Sequence, residues 1–176
     1  MAATTYTGAG SVSAADVRYV KWEGKTKSGL PITIELEKAF CRSNPDWTFE
    51  EKNDTTVEVE FEGMYNDEKL ATGDRTEPWK LTLPDGLTAG SGAILLGVGR
   101  FSVGKSKDDA KAVGLTRGGG AFIVEREYRE INADDDPGLV EDRVEKTSGR
   151  PKLKLNALQW LDKVSDLYAC VTPVTA

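Results

Sequence analysis

Histidine is absent from this 176-residue chain. That removes the commonest general base near neutral pH, the commonest zinc ligand and every histidine-dependent nucleophilic triad. Cysteine occurs only at Cys41 and Cys170, far apart in sequence. Nothing indicates secretion, so two buried free thiols are expected rather than a disulfide. The opening stretch MAATTYTGAGSVSAAD has neither the basic nor the apolar region of a signal peptide. No apolar run reaches the roughly 20 residues of a membrane-spanning helix, so synthesis in the cytosol and no membrane partner are expected. A basic excess is missing too: 23 Lys and Arg stand against 29 Asp and Glu, a net charge of −6. A domain that grips nucleic acid by its phosphates would carry the opposite balance.

What remains is a soluble globular composition, 30% charged and 39% apolar, of one-domain length. Period-two alternation dominates. It marks strands at 17–24, 31–37, 47–51, 55–65, 78–84, 93–104, 120–131 and 150–158. The clearest is TTVEVEFEGMY, with Val57, Val59 and Phe61 on one face and Glu58, Glu60 and Glu62 on the other. Helical spacing occurs at LEKAFCRS, 36–43, and at ALQWLDKVSDLY, 157–168, where Leu158, Leu161, Val164, Leu167 and Tyr168 recur. The expected fold is a single mainly β domain over 1–176. It is a β-sandwich or small barrel of about eight antiparallel strands, with one or two short helices and long loops.

Residues 1–14 form a small-residue arm, and 84–93 is a Gly/Ser-rich join. The stretches 66–77, 106–120 and 132–150 are long for connections between short strands, which points to function or disorder.

Three motifs invite chemistry. The triple glycine 118–120 lacks the Gly-Lys-Ser/Thr ending of a phosphate loop and leads into a strand, so a tight strand start with a neighbouring backbone close by is the simpler reading. The triple aspartate 134–136 lacks the spaced ligands and late glutamate of a calcium loop and, with Pro137-Gly138, reads as a turn. In EREYRE, 125–130, Arg126 shares a face with Phe122, Val124 and Tyr128. An arginine on an apolar strand face needs a carboxylate or an interface, and both readings stay open. Carboxylate catalysis depends on a spatial separation that sequence does not supply. No enzymatic activity, cofactor or metal is expected.

Two segments carry a resemblance. TRGGGAFIVEREYREINADDDPGLVEDRV with PKLKLNAL, and GKTKSGLPITIELEKAFCRSNPDWTFEEKNDTTVEVEFEGMY with EPWKLTLP, resemble tail tube proteins of tailed bacteriophages with Gram-positive hosts. Together they cover well over half of the chain. One departure is Glu141-Asp142-Arg143, where the family pattern has Lys-Gly after the valine. The order of the two segments is reversed relative to the family pattern. The ends VTPVTA and AATTYTGAG would also join into one Ala/Thr stretch, so a circular permutant is expected.

The resemblance implies a virion structural protein that forms hexameric rings and stacks them into a hollow tube. Double-stranded DNA would pass through the lumen without specific binding, and other tail proteins would be partners. On that reading Arg126, Tyr128, Arg129, Arg117, Gly118, Asp74 and Arg75 are candidate subunit contacts, and Glu58, Glu60 and Glu62 candidate lumen residues. Two alternatives remain. One is a head-decoration or tail-terminator subunit. The other is a calcium- or carbohydrate-binding β-sandwich module that uses Trp22, Trp47, Trp79 and Trp160.

Overall fold

A computed structural model describes residues 5–46, 55–85, 95–131, 143–158, 164–169 and 171–174. The strands among them are β1 (Thr5–Gly8), β2 (Arg18–Thr26), β3 (Pro31–Cys41), β4 (Val57–Gly63), β5 (Lys80–Thr82), β6 (Leu95–Gly104), β7 (Lys111–Ala112), β8 (Thr116–Glu130), β9 (Val144–Ala157) and β10 (Val171–Val174). Two short helices accompany them, α1 (Asp67–Ala71) and α2 (Val164–Leu167). The chain is mainly β, and its principal antiparallel sheet curls into a half-barrel. The order across that sheet is β7-β6-β2-β3-β4-β9-β8, with β5 added to β3, while β1 and β10 pair separately.

The alternation seen in sequence is what curls around the core. Val57, Val59 and Phe61 of β4 are fully buried, and β9 sets Ala157, Leu155 and Leu153 opposite them in register. Val20, Leu36, Phe101 and Val103 continue the apolar layer, which α2 closes with Val164 and Leu167. Arg18 ties α2 to the start of β2: its guanidinium donates to the Ser165 carbonyl at 2.6 Å and the Val17 carbonyl at 3.1 Å.

The helix expected over 36–43 is instead the end of β3, and a β-bulge explains the misleading spacing. Val20 pairs with Leu36, yet Arg18 pairs with Ala39, so β3 carries an extra residue between the two pairings. The inward parity passes from Ile32, Ile34 and Leu36 to Ala39 and Cys41. A bulge thus produces an i, i+3 apolar step inside a strand. The helix expected over 157–168 is confined to α2 among the described residues, since Ala157 still belongs to β9. The strand expected at 47–51 lies outside the described residues, as do the aspartates 134–136 and most of the 84–93 join.

The triple glycine opens β8. Thr116 faces Ala157 and Gly120 faces Leu155, so two extra residues bulge out between them, with Gly119 at φ 80°. A Cβ on Gly120 would lie 2.4 Å from the Lys154 carbonyl oxygen. The backbone of β9 therefore approaches too closely for any side chain there.

Candidate functional site

β8 and β9 form a hairpin whose ladder runs from Thr116–Ala157 to Glu130–Val144. β4 accompanies β9 only as far as the Glu62–Lys152 pair. Beyond it, residues 125–130 and 144–150 continue as a two-stranded ribbon. Along its other side, β8 pairs with no strand among the described residues and ends the sheet. Tyr128 and Val144 on the ribbon and Ile123 nearer the sheet are exposed.

At the root of the ribbon sits Glu77, only 9% exposed. Its carboxylate accepts from Arg126 Nε at 2.9 Å, Arg126 Nη2 at 3.0 Å, Lys146 Nζ at 3.0 Å and Trp79 Nε1 at 2.6 Å. The paired Arg126 bonds lower its pKa most, with Trp79 and Lys146 adding to them. Together they outweigh the opposing effect of burial and hold it at about 2, against an ordinary 4.5. Gly149, the register partner of Arg126, makes room for it: a Cβ there would meet Glu77 Oε1 at 2.4 Å. The arginine on the apolar face thus has its carboxylate within the same chain.

The other expected contact residues are spread out. Arg129 forms a cross-strand pair with Glu145 at 2.6 Å, and Tyr128 stands opposite Lys146. Asp74 follows Gly73 and closes a small turn by accepting from the Thr76 backbone at 2.9 Å and hydroxyl at 2.6 Å, which holds its pKa below the ordinary value. Arg75 lines a groove of about 710 Å³ with Phe40, Leu70, Lys146 and Arg150. Arg117 and Gly118 lie at the opposite end of β8, roughly 25 Å along the strand from Arg126 at about 3.3 Å per residue. The structure therefore joins the end of the 66–77 loop to the ribbon, but not to the start of β8.

Glu58, Glu60 and Glu62 do share the outer face of β4, but they form part of a ladder of alternating charge. Lys154 reaches Glu60 at 2.6 Å and Glu58 at 4.0 Å, Lys152 reaches Glu125 at 2.7 Å and Glu60 at 3.9 Å, and Arg42 reaches Glu62 at 2.6 Å. Four carboxylates against three cations leave one net negative charge. The Lys-x-Lys spacing of 152–154 was visible in sequence, but its pairing with β4 was not.

A second half-hidden carboxylate went unnoticed in sequence. Glu35, 6% exposed, accepts from the Tyr19 hydroxyl and pairs with Lys107 at 3.0 Å. Burial raises its pKa, yet these two partners outweigh burial and leave it lowered, while burial and Glu35 raise that of Tyr19. Cys41 is a free, buried thiol whose pKa burial pushes up to about 11, which suits an inert core residue. Cys170 lies outside the described residues.

Trp22 and Trp79 pack against the core, Trp79 with its ring centroid 5.6 Å from that of Phe122. Trp47 and Trp160 lie outside the described residues. Among the described residues no three His, Cys, Asp or Glu side chains gather as a metal site, and no helix is long and apolar enough to cross a membrane. No protein-family model, curated protein or solved structure matches the chain.

Proposed function

We propose that this chain is a non-catalytic structural subunit that assembles edge to edge into rings and a hollow tube, of the kind found in bacteriophage tails. The observation that carries the reading is β8, a fifteen-residue strand whose outer edge has no partner among the described residues. Such an edge offers a row of backbone donors and acceptors to which another chain can add a strand. The ribbon of β8 and β9 extends that edge past the sheet and carries Tyr128 and Arg129 toward a neighbour. The pairing of Thr5 with Val174 through β1 and β10 brings the first and last described residues side by side, as the permutant reading requires.

In such a tube the ladder of Glu58, Glu60 and Glu62 with Lys152, Lys154 and Arg42 is the proposed DNA-facing wall. A near-neutral lattice of fixed ion pairs offers phosphates no uncompensated cation to hold them, so DNA slides past. Virion localisation and contacts with other tail proteins belong to the same proposal.

Negative-stain imaging of concentrated protein, with size-exclusion chromatography alongside, tests the reading. Stacked rings or tubes support it. Protein that stays monomeric at high concentration refutes it, and closed rings or trimers that never stack favour a terminator or decoration subunit.

A further inference from the structure

β4 leaves the edge of β3 after the pairing of Ala39 with Gly63, and the chain then passes through α1 and the turn at Gly73. It returns as β5 to cover the same edge of β3 at Thr33–Glu35. Residues 72–83 thus run between the β8–β9 ribbon, which Glu77 contacts, and the β3 edge. Little of this segment is buried. All three residues of β5 are exposed, Leu81 among them, as is Leu83 just after it, and the preceding α1 buries none of its side chains. Beneath it lies an apolar groove of about 440 Å³ lined by Trp22, Ile32, Ile34, Phe122 and Leu153, with Leu81 and Leu83 contributing from the segment itself. Beside the short β5–β3 ladder and the packing of Pro78 at Gly63, its side-chain attachments are Glu77 on Arg126 and Lys146, and Trp79 against Phe122.

We propose that residues 72–83 are a strap latched by Glu77, and that releasing this one carboxylate opens the strap as a unit, uncovering the β3 edge and the apolar groove while the rest of the sheet stays folded. The physical reason is the uneven distribution of the hold. A three-residue exposed strand contributes little by itself. A nearly buried carboxylate taking four hydrogen bonds, three of them from cations, dominates the local free energy. Local opening of weakly buried segments below the global unfolding threshold is ordinary protein behaviour. Here the threshold is set at a single side chain.

Two variants break the latch in different ways. Glu77→Gln removes the charge and keeps the shape. Gly149→Ala keeps every charge and places a methyl 2.4 Å from Glu77 Oε1, too close for the carboxylate to stay where it is. Brief trypsin digestion of the full chain, with the first cuts mapped by mass spectrometry, reads the opening at Lys80, whose peptide is held in β5. Both variants should be cut after Lys80 at least about tenfold faster than the parent chain, and should bind an apolar dye more strongly. Glu145→Gln, which removes only the exposed partner of Arg129, should leave the Lys80 rate unchanged. The proposal is overturned if the Lys80 rate stays at the parental value in both latch variants. It is equally overturned if cuts after Lys152 and Lys154 in β9 accelerate in step with Lys80, because the whole sheet would then be opening.

Discussion

Glu77 makes stability depend on pH in a way that can be calculated in advance. Its folded pKa of about 2 lies below the ordinary 4.5 of an unfolded glutamate. A carboxyl depressed by folding contributes stability that is complete above the unfolded value and is lost as pH falls toward the folded one. At about 1.4 kcal/mol per pH unit, the span is worth at most about 3.4 kcal/mol. Arg126 and Lys146 are each 39% exposed, so water screens the attraction. About 1.5 kcal/mol is the reasoned expectation at pH 7. Glutamine cannot titrate and resembles the protonated acid in shape. Urea unfolding of the parent chain and of Glu77→Gln should therefore differ by about 1.5 kcal/mol at pH 7, and the gap should begin to close near pH 4.5 and almost vanish by pH 2. A gap that stays constant from pH 7 to pH 2.5 would refute the assignment, because the glutamine would then be harmful for reasons of shape and not of charge.

Further expectations can be checked in the same apparatus. Phe61→Ala removes a fully buried ring that packs 6.0 Å from Phe101 and should cost about 3–5 kcal/mol, whereas Tyr128→Ala on the exposed ribbon should change stability by less than about 0.5 kcal/mol. Gly120→Ala drives a methyl into the Lys154 carbonyl and should cost about 1–3 kcal/mol; a neutral result would mean that β8 and β9 lie farther apart than described. Glu60→Lys places a third cation between Lys152 and Lys154 and should destabilise by about 1 kcal/mol, while Glu58→Lys, farther from either lysine, should cost less. With Cys170 replaced by serine, Cys41 should resist a thiol reagent at pH 8 until the chain is unfolded, and rapid labelling of the native protein would contradict its burial.

Much of the fold was legible because strand burial has a short period. Val57, Val59 and Phe61 alternate with Glu58, Glu60 and Glu62, and a half-buried strand follows from local stereochemistry alone. The same rule failed over 36–43, because a bulge is set by the facing strand: Arg18 and Val20 decide that Leu36 and Ala39 both turn inward. The triple glycine could be read as a site of close backbone approach, but not which backbone, until Lys154 stood beside Gly120.

By itself the sequence determined the class of the fold, the alternation that turns Val57, Val59 and Phe61 inward, the exclusion of histidine chemistry and the need of Arg126 for a carboxylate or an interface. Each of these depends on residue type or on neighbours a few positions away. Only the tertiary structure decided that Glu77, out of 29 acidic residues, meets that need across 49 positions of chain. It also decided that Lys152 and Lys154 pair with the glutamate row, and that β8 ends the sheet with no strand on its outer side among the described residues. The reason is common to all three. Charge pairing and strand adjacency act over a few ångströms in space, and when many residues of one type compete for a partner, only the path of the backbone selects among them.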